Sequence, residues 1–189
     1  MNGIAPAGAL NGLVQAALRC TAPGVPDCYQ GTEFWDLSLV DPDNRRPVDY
    51  AARMQSLKRD APPEELLACW REGTVKQAMI ATLLNLRSHR PQLFGRSDYQ
   101  PLEVRGRRAG KVVAFMRRAG DDSLLVAVPL HCARAAADLP LPDSDFWGDT
   151  AILLPDGAKE PQRHLFDNEA GADRSCRRLF ARFPVAVLV

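Results

Sequence analysis

The sequence changes its pattern near Pro91, and this change limits the folds open to the chain. Before Pro91, apolar residues recur every three to four positions, the spacing of helices that bury one face. After Pro91, short runs rich in β-branched and aromatic residues alternate with glycine-containing turns. The 189 residues have room for one domain or two small ones. We therefore predict a helical part over residues 1–92 and an all-β part over residues 93–189.

The periodicity predicts four helices before Pro91. They cover residues 7–20, about 48–59, a short stretch that starts at Pro62 and includes Trp70, and 74–90. Thr74 is the expected N-cap of the last helix, and Pro91 is expected to end it. The apolar stripe of the first helix consists of Leu10, Leu13, Val14, Ala17 and Leu18. Residues 25–30 read as a short buried strand, so that helix and strand form half of an α/β unit.

The C-terminal half contains five short β-rich runs. Their spacing and their turns predict an antiparallel β-sandwich. The runs cover residues 99–104, 111–117, 123–128, 150–154 and 183–189. Six basic residues surround the first turns, and we interpret them as a solvated hairpin rather than as a phosphate site, because no aromatic residues are interleaved with them.

Charge and composition exclude several functions. The 24 basic and 23 acidic residues give a net charge of +1, so the chain has no global electrostatic reason to bind nucleic acid or an anionic membrane. The five cysteines form no CxxC pair, which predicts reduced thiols, no zinc site and a cytoplasmic protein. No apolar run approaches the length of a membrane span. The three histidines have no partner in the sequence that would indicate a nucleophilic or metal site.

The segment 31–49 is the strongest candidate for a functional loop. It is long and polar, has no helical or strand period, and interleaves carboxylates and arginines with Phe34 and Trp35. Carboxylates and guanidinium groups can hydrogen-bond sugar hydroxyls in fixed directions, while aromatic rings can stack on the apolar faces of sugar rings. Composition alone leaves a second interpretation open, in which the charged residues only brace the loop by ion pairs.

Two motifs in this region carry a resemblance to a known family. The sequence PGVPDCYQGTE at 23–33 resembles the end of the last barrel strand in the α-amylase family of glycoside hydrolases. The sequence WDLSLVDPDNRRPVDY at 35–50 is similar to a narrower group in that family, which rearranges the terminal α-1,4 bond of a maltooligosaccharide into an α,α-1,1 bond. The similarity extends through 76–94 and 99–102. Cys28 departs from it, since an aliphatic residue is expected there.

The resemblance implies that this chain is a C-terminal part of such an enzyme. The fold is then α+β, with the last strand and helices of a (β/α)₈ barrel followed by an antiparallel β-sandwich domain. The carboxylate nucleophile and the acid of a retaining mechanism lie on earlier barrel strands, so no catalytic residue is expected here and the isolated chain should be inactive. No cofactor is implied. The expected contacts with the maltooligosaccharide are Tyr29, Glu33, Asp41, Asn44, Arg45 and Arg46.

Two further expectations follow. If the chain were instead a non-catalytic carbohydrate-binding or interaction module, an exposed aromatic platform would be needed, and Trp147 is the candidate. A barrel fragment also lacks neighbours for its strand 25–30 and for the apolar stripe of its first helix. Residues 1–60 are therefore expected either to pack against another copy of the chain or to be less protected than residues 95–189.

Overall fold

The computed structural model describes residues 4–39, 41, 43–157, 161–167 and 173–189. The six α-helices of this part are α1 (Ala5–Thr21), α2 (Tyr50–Leu57), α3 (Pro63–Ala68), α4 (Thr74–His89), α5 (Pro91–Gly95) and α6 (Cys176–Leu179). The six strands are β1 (Asp98–Pro101), β2 (Val104–Arg105), β3 (Val112–Ala119), β4 (Asp122–Pro129), β5 (Ala151–Ile152) and β6 (Ala186–Leu188). Mixed helix and antiparallel sheet is therefore the observed fold class.

The sheet is centred on a hairpin of β3 and β4. Strand order is β1-β3-β4-β6, every pair is antiparallel, and a separate two-stranded sheet joins β2 to β5. Gly120 has a φ of 61° and opens the two-residue turn between Ala119 and Asp122, a conformation that glycine adopts without a steric penalty. The antiparallel β pattern predicted after Pro91 is confirmed. The sandwich, the barrel end and the division at residue 92 stay predictions.

The helix α1 packs on α4 and also contacts β4. Its apolar stripe is covered within the chain, since Leu10, Leu13 and Ala17 are at most 2% exposed. The expectation that this stripe lacks a covering surface is wrong. Sequence periodicity locates the apolar face of a helix, but it cannot identify the element that packs on that face, which here is α4.

Arg117 on β3 links the sheet to the helices. Its guanidinium is buried and donates hydrogen bonds to the carbonyl oxygens of Thr21 (2.9 Å) and Phe94 (3.0 Å) and to the hydroxyl of Ser97 (2.8 Å). The carbonyl of Thr21 lies at the C-terminal end of α1, where backbone acceptors have no partner inside the helix. Arg117 is thus not part of a solvated hairpin, as its position among basic residues suggested.

Residues 25–30 do not form a β-strand. The backbone from Val25 to Tyr29 has no regular hydrogen-bonded structure, and the side chain of Val25 is 92% exposed. The predicted buried strand is therefore wrong for this chain. A strand requires a neighbour that accepts and donates its backbone hydrogen bonds, and no described segment lies beside residues 25–30 in that way.

One local signal was misread at the start of α4, whereas the predicted end of this helix before Pro91 is confirmed. The N-cap position is Gly73, with a φ of 80°, and Thr74 is the first residue of the helix. Glycine is required at 73 because a Cβ there would lie 3.0 Å from the backbone nitrogen of Trp35. Pro91 also starts α5, one residue after the end of α4, consistent with the preference of proline for the first position of a helix.

Candidate functional site

A polar cleft of about 340 Å³ opens between the two halves of the segment 30–53. One wall is formed by residues 30–38, and the other by residues 43–53, which include a 3₁₀ turn (Asp43–Arg45) and the start of α2. The lining residues are Gln30, Gly31, Trp35, Asp36, Leu37, Ser38, Asp43, Arg46, Pro47, Val48, Asp49 and Arg53. The segment between α1 and α2, whose described residues contain no strand and one 3₁₀ turn, thus builds most of a concave surface.

Arg53 on α2 joins the two walls. Its guanidinium donates to the carbonyl oxygen of Gly31 at 2.5 Å, to that of Asp49 at 3.0 Å and to the Glu33 carboxylate at 3.3 Å. It also lies over the ring of Phe34, 4.7 Å from the centroid. The side chain of Arg53 is half-buried, so these contacts act in a region partly shielded from water.

The wall 31–38 is attached to the helical core at two points. The Trp35 indole donates from Nε1 to the carbonyl oxygen of Trp70 at 2.5 Å. Lys76 on α4 donates from Nζ to the carbonyl oxygen of Phe34 at 3.1 Å and lies 5.5 Å from the centroid of the Trp35 ring. Lys76 is buried, and this burial lowers its pKa. The position of Trp35 in the cleft is therefore set by contacts with α4 and with the turn before it.

The cleft combines three carboxylates with two guanidinium groups. Asp43 forms an ion pair with Arg46, and Asp49 caps α2 by accepting from the backbone nitrogen of Ala52 at 2.9 Å. The pKa of Asp36 is lowered because the hydroxyl and the backbone nitrogen of Ser38 donate to its carboxylate. Asp36 is exposed and ionised at neutral pH, and can accept hydrogen bonds from a ligand.

The structure brings only part of the predicted site together. Arg46 lines the cleft, and Glu33 lies behind its wall as the partner of Arg53. Arg45 pairs with Asp41 at 2.5 Å on the surface, where the Arg45 side chain is 71% exposed, and neither lines the cleft. Tyr29 is about half exposed and lies outside it. The side chain of Asn44 lies outside the described residues.

The ion pairs of Arg45 and Arg46 agree with the interpretation in which charged residues brace the loop. The bracing does not close the cleft, because Asp36, Ser38 and Gln30 remain on its lining. The substrate contacts assigned to the six residues stay predictions.

Sequence reasoning missed Arg53, the residue with the most contacts in the site. Its one sequence signal is its distance of four positions from the N-cap Asp49, which places it over the first turn of α2. Nothing in the sequence indicates its contact with Gly31, which is 22 positions away.

The β half offers no aromatic platform at the predicted place. Trp147 has no exposed surface and packs in the core against Phe180, with 4.8 Å between ring centroids. The interpretation that relied on Trp147 as a sugar platform is therefore wrong. Within the described ranges, no group of three or more metal-ligating side chains is found, and no helix is long and apolar enough to cross a membrane.

Comparison with known proteins first shows the class of this chain. It is homologous, over almost its whole length, to the C-terminal region of much longer enzymes of carbohydrate metabolism, and it spans about a fifth of their length. No family model matches the chain.

The enzyme that it resembles is maltooligosyltrehalose synthase. Two Mycobacterium tuberculosis proteins that carry the provisional name maltooligosyl trehalose synthase are 40% identical to the chain over 177 residues, which is 94% of this chain and 20% of theirs. The solved maltooligosyltrehalose synthase of Arthrobacter ramosus is 36% identical with a TM-score of 0.73, covering 97% of this chain and 22% of that one. A hypothetical maltooligosyl trehalose synthase of Sulfolobus tokodaii is 27% identical with a TM-score of 0.65, covering 97% and 21%. The narrower resemblance read from residues 35–50 is confirmed.

Proposed function

We propose that this chain is a working part of a maltooligosyltrehalose synthase. The complete enzyme would convert the reducing-end α-1,4 linkage of a maltooligosaccharide into an α,α-1,1 linkage by intramolecular transglycosylation. The observation that carries the proposal is the position of the cleft. It is built by the same segment, 30–53, that contains the specific motif at 35–50. The maltooligosaccharide is the proposed ligand of this cleft.

The helical part is proposed to be the end of a (β/α)₈ barrel, and residues 93–189 a β domain that follows it. Residues 25–29 support this, because they form no regular hydrogen-bonded structure and expose Val25 almost completely, as a barrel strand could without its neighbours. In such barrels the loops after the C-terminal ends of the strands build the active site. The segment that follows residue 30 would then face the substrate.

Three exposed apolar side chains in and just before the cleft segment indicate a surface that the rest of a larger protein would cover. Val25, Leu37 and Leu39 are 92%, 91% and 78% exposed. Leaving a valine or leucine in water forgoes about 1.5–3 kcal/mol of burial free energy for each side chain. A barrel assembled around residues 25–39 would bury them. The proposed self-association of the isolated chain would have the same cause.

The chemistry of the cleft fits retention of a sugar rather than bond cleavage. A retaining glycosidase forms a covalent glycosyl-enzyme through one carboxylate and protonates the leaving oxygen with another. In the proposed reaction the released glucose stays bound, turns, and attacks the intermediate with its anomeric hydroxyl. Asp36, Ser38 and Arg46 would hold its hydroxyl groups by directional hydrogen bonds, and Trp35 would limit the entry of water. The groups that break the bond would lie outside this chain, and no cofactor is needed.

A chimera tests the proposal directly. The region of the M. tuberculosis relative that matches this chain is replaced by this chain, and the product is incubated with maltopentaose. Chromatography should show a product ended by an α,α-1,1 bond. The isolated chain, as the matched control, should give no turnover above the blank.

Two results would contradict the proposal. A well-folded chimera that only releases glucose, or does nothing, would show that the chain does not serve this reaction. Turnover by the isolated chain, abolished by Asp41→Asn or Glu33→Gln, would show that the catalytic groups lie within it.

A further inference from the structure

The first turn of α4 contacts both walls of the cleft. Lys76 donates from Nζ to the carbonyl oxygen of Phe34 at 3.1 Å, in one wall. Its neighbour Gln77 donates from Nε2 to the carbonyl oxygen of Arg53 at 3.2 Å, in the other wall. Both side chains are buried, and both belong to a helix of 16 residues that packs on α1. The two walls therefore share one support in the helical core.

The wall 43–53 depends on this support more than the wall 31–38 does. The wall 31–38 packs directly on α4, since a Cβ added to Gly73 would lie 3.0 Å from the backbone nitrogen of Trp35. The helix α2, whose first half belongs to the wall 43–53, has no buried residue. Because little apolar burial holds α2 against the core, polar contacts decide where it lies. Gln77 supplies such a contact to its backbone.

The Gln77 amide is buried at a cost in stability. Gln77 is 4% exposed, and its Oε1 atom is buried without a hydrogen-bond partner among the described residues. A buried acceptor without a partner destabilises a protein, and an apolar side chain of similar length would not carry this penalty. Residues that lower stability without a local gain are expected at functional positions. The donation from Nε2 to the carbonyl oxygen of Arg53 accounts for an amide at this position.

We propose that Gln77 is a positioning residue of the cleft, which sets the distance between the two walls through the backbone of Arg53. Gln77 is not among the residues that line the cleft, so it acts through Arg53 and does not touch the substrate. The backbone of Arg53 is held by Gln77, while its guanidinium donates to the carbonyl oxygen of Gly31 in the opposite wall. This inference rests on the function proposed for the cleft.

The distance between the walls should decide how the glycosyl-enzyme reacts. Asp36 and Ser38 lie on one wall and Arg46 on the other, so one glucose can contact all three only at a fixed separation. A wider cleft would hold the released glucose less well and admit water to the intermediate.

Water would then attack the anomeric carbon of the glycosyl-enzyme in place of the glucose hydroxyl. The bond from that carbon to the enzyme carboxylate breaks, a bond to the water oxygen forms, and one proton of the water goes to the acid–base group outside this chain. Free glucose and a shortened maltooligosaccharide are released. Loss of Gln77 should therefore change the partition between the two outcomes rather than the rate of bond cleavage.

Variants of the chimera described above test this on maltopentaose. Gln77→Met is similar in length but has no donor for the Arg53 carbonyl, and Gln77→Asn keeps the amide on a shorter side chain. Both should raise the ratio of free glucose to α,α-1,1-ended product about 2- to 10-fold, the effect of one lost neutral hydrogen bond.

Two control variants separate positioning from a general loss of stability. Gln55→Met makes the same change on the exposed surface of α2 and should leave the product ratio unchanged. Val126→Ala destabilises the sheet far along the chain from the cleft segment, at a residue without exposed surface. It should lower the amount of active enzyme but not the ratio, because the ratio does not depend on how much protein is folded.

Amide hydrogen exchange of the 189-residue chain tests the anchoring without reference to the reaction. In Gln77→Met, the amides of α2 should exchange about 2- to 10-fold faster than in the natural chain, because local opening of α2 no longer breaks the hydrogen bond to Gln77. The amides of β3 and β4 should exchange at unchanged rates.

The results distinguish a failure of this inference from a failure of the proposed function. An inactive parent chimera contradicts the proposed function, and the role of Gln77 falls with it. An active chimera whose product ratio stays the same in Gln77→Met and Gln77→Asn overturns the role of Gln77 alone, as does unchanged exchange of α2. An equal rise of the ratio in Val126→Ala would also overturn it, because the effect would then follow stability and not position.

Discussion

The central sheet and the segment 22–58 are stabilised in opposite ways. In β4 and β6, residues such as Leu125, Val126 and Val187 have no exposed surface. Between residues 22 and 58, no described residue is fully buried. The sheet is held by removal of apolar surface from water, whereas the segment is held by a few polar contacts of Arg53, Lys76, Trp35 and Arg87 with backbone carbonyls.

This difference shows why a site can occupy the less stable region. Buried or half-buried cations bind the backbone carbonyls of the segment and fix its conformation without hydrophobic burial. The carboxylates of the cleft therefore remain available for a ligand. The segment depends on α4 for its shape, because α4 supplies Lys76 and Arg87. Substitutions that destabilise the core around α4 should therefore also alter the cleft. Substitutions in the cleft should leave the stability of the core unchanged.

Hydrogen exchange should show the largest contrast between the two regions. Amides of β3 and β4 should exchange only by global unfolding, at a cost of about 5–15 kcal/mol, whereas those of residues 31–39 should exchange by local opening at a small fraction of that cost. Light scattering on the same sample tests self-association. Uniform protection in a strict monomer would show that the segment is as stable as the sheet.

Arg117→Met should break the link between sheet and helices. The substitution leaves the carbonyls of Thr21 and Phe94 buried without their donor, so urea denaturation should show a loss of about 3–5 kcal/mol in the free energy of unfolding. Arg118→Met is the matched control, because Arg118 is half-buried and donates to the side chain of Gln100 rather than to a buried carbonyl. It should cost under about 1 kcal/mol. Equal effects of the two variants would refute the role of Arg117.

The β half should lose stability in mild acid through His164. Burial lowers the pKa of His164 to about 4, and its Nδ1 accepts from the backbone nitrogen of Phe166 at 3.0 Å, which favours the neutral ring. Above pH 6.5 both folded and unfolded states hold it neutral. As the pH falls from 6.5 to 4, only the unfolded state gains the proton, and stability falls by on the order of 3 kcal/mol.

Urea titrations from pH 8 to pH 4 measure this effect against His164→Gln, which cannot titrate. The variant should lose less stability than the natural chain over that interval. Parallel curves for the two proteins would show that His164 does not gain a proton on unfolding.

In the active chimera, Arg46→Ala should impair the reaction more than Arg45→Ala. Arg46 lines the cleft, and the loss of a charge-assisted hydrogen bond of about 1.5–3 kcal/mol lowers a rate roughly 10- to 100-fold. Arg45 pairs with Asp41 on the surface and should matter less than about threefold. The ratio of free glucose to α,α-1,1-ended product should rise for Arg46→Ala. Equal ratios in both variants would make Arg46 a loop brace only.

Gly31→Ala should have the smallest effect, confined to the cleft. Gly31 has a φ of 86°, and a Cβ there would lie 2.7 Å from the Cγ2 atom of Val48. The strain should lower the free energy of local opening by about 1–2 kcal/mol, measured as faster exchange of amides 30–36. Gly110→Ala is the control, since no atom lies within 4 Å of its added Cβ and its φ is ordinary. Equal exchange rates in both variants would mean that residue 31 can relax.

Local patterns predicted much of the fold. The helix over 74–90 and the hairpin of β3 and β4 were predicted within one or two residues of their observed bounds, because period and turn chemistry are properties of neighbouring residues. The strand at 25–30 failed because a strand depends on a partner. Trp147 was misjudged because a loop position does not reveal what packs against it.

For this protein, the sequence by itself determined the family resemblance, the segment that carries the candidate site and the antiparallel pairing after Pro91. Only the tertiary structure decided that α4 covers the stripe of α1, that Arg117 joins the sheet to the helices, and that Arg53 rather than Arg45 shapes the cleft. The physical reason is the range of the interactions. Periodicity and motifs depend on residues close together in the sequence. The hydrogen bonds of Arg53 and Arg117 reach carbonyl oxygens 22 and 96 positions away, and no pattern of neighbouring residues predicts them.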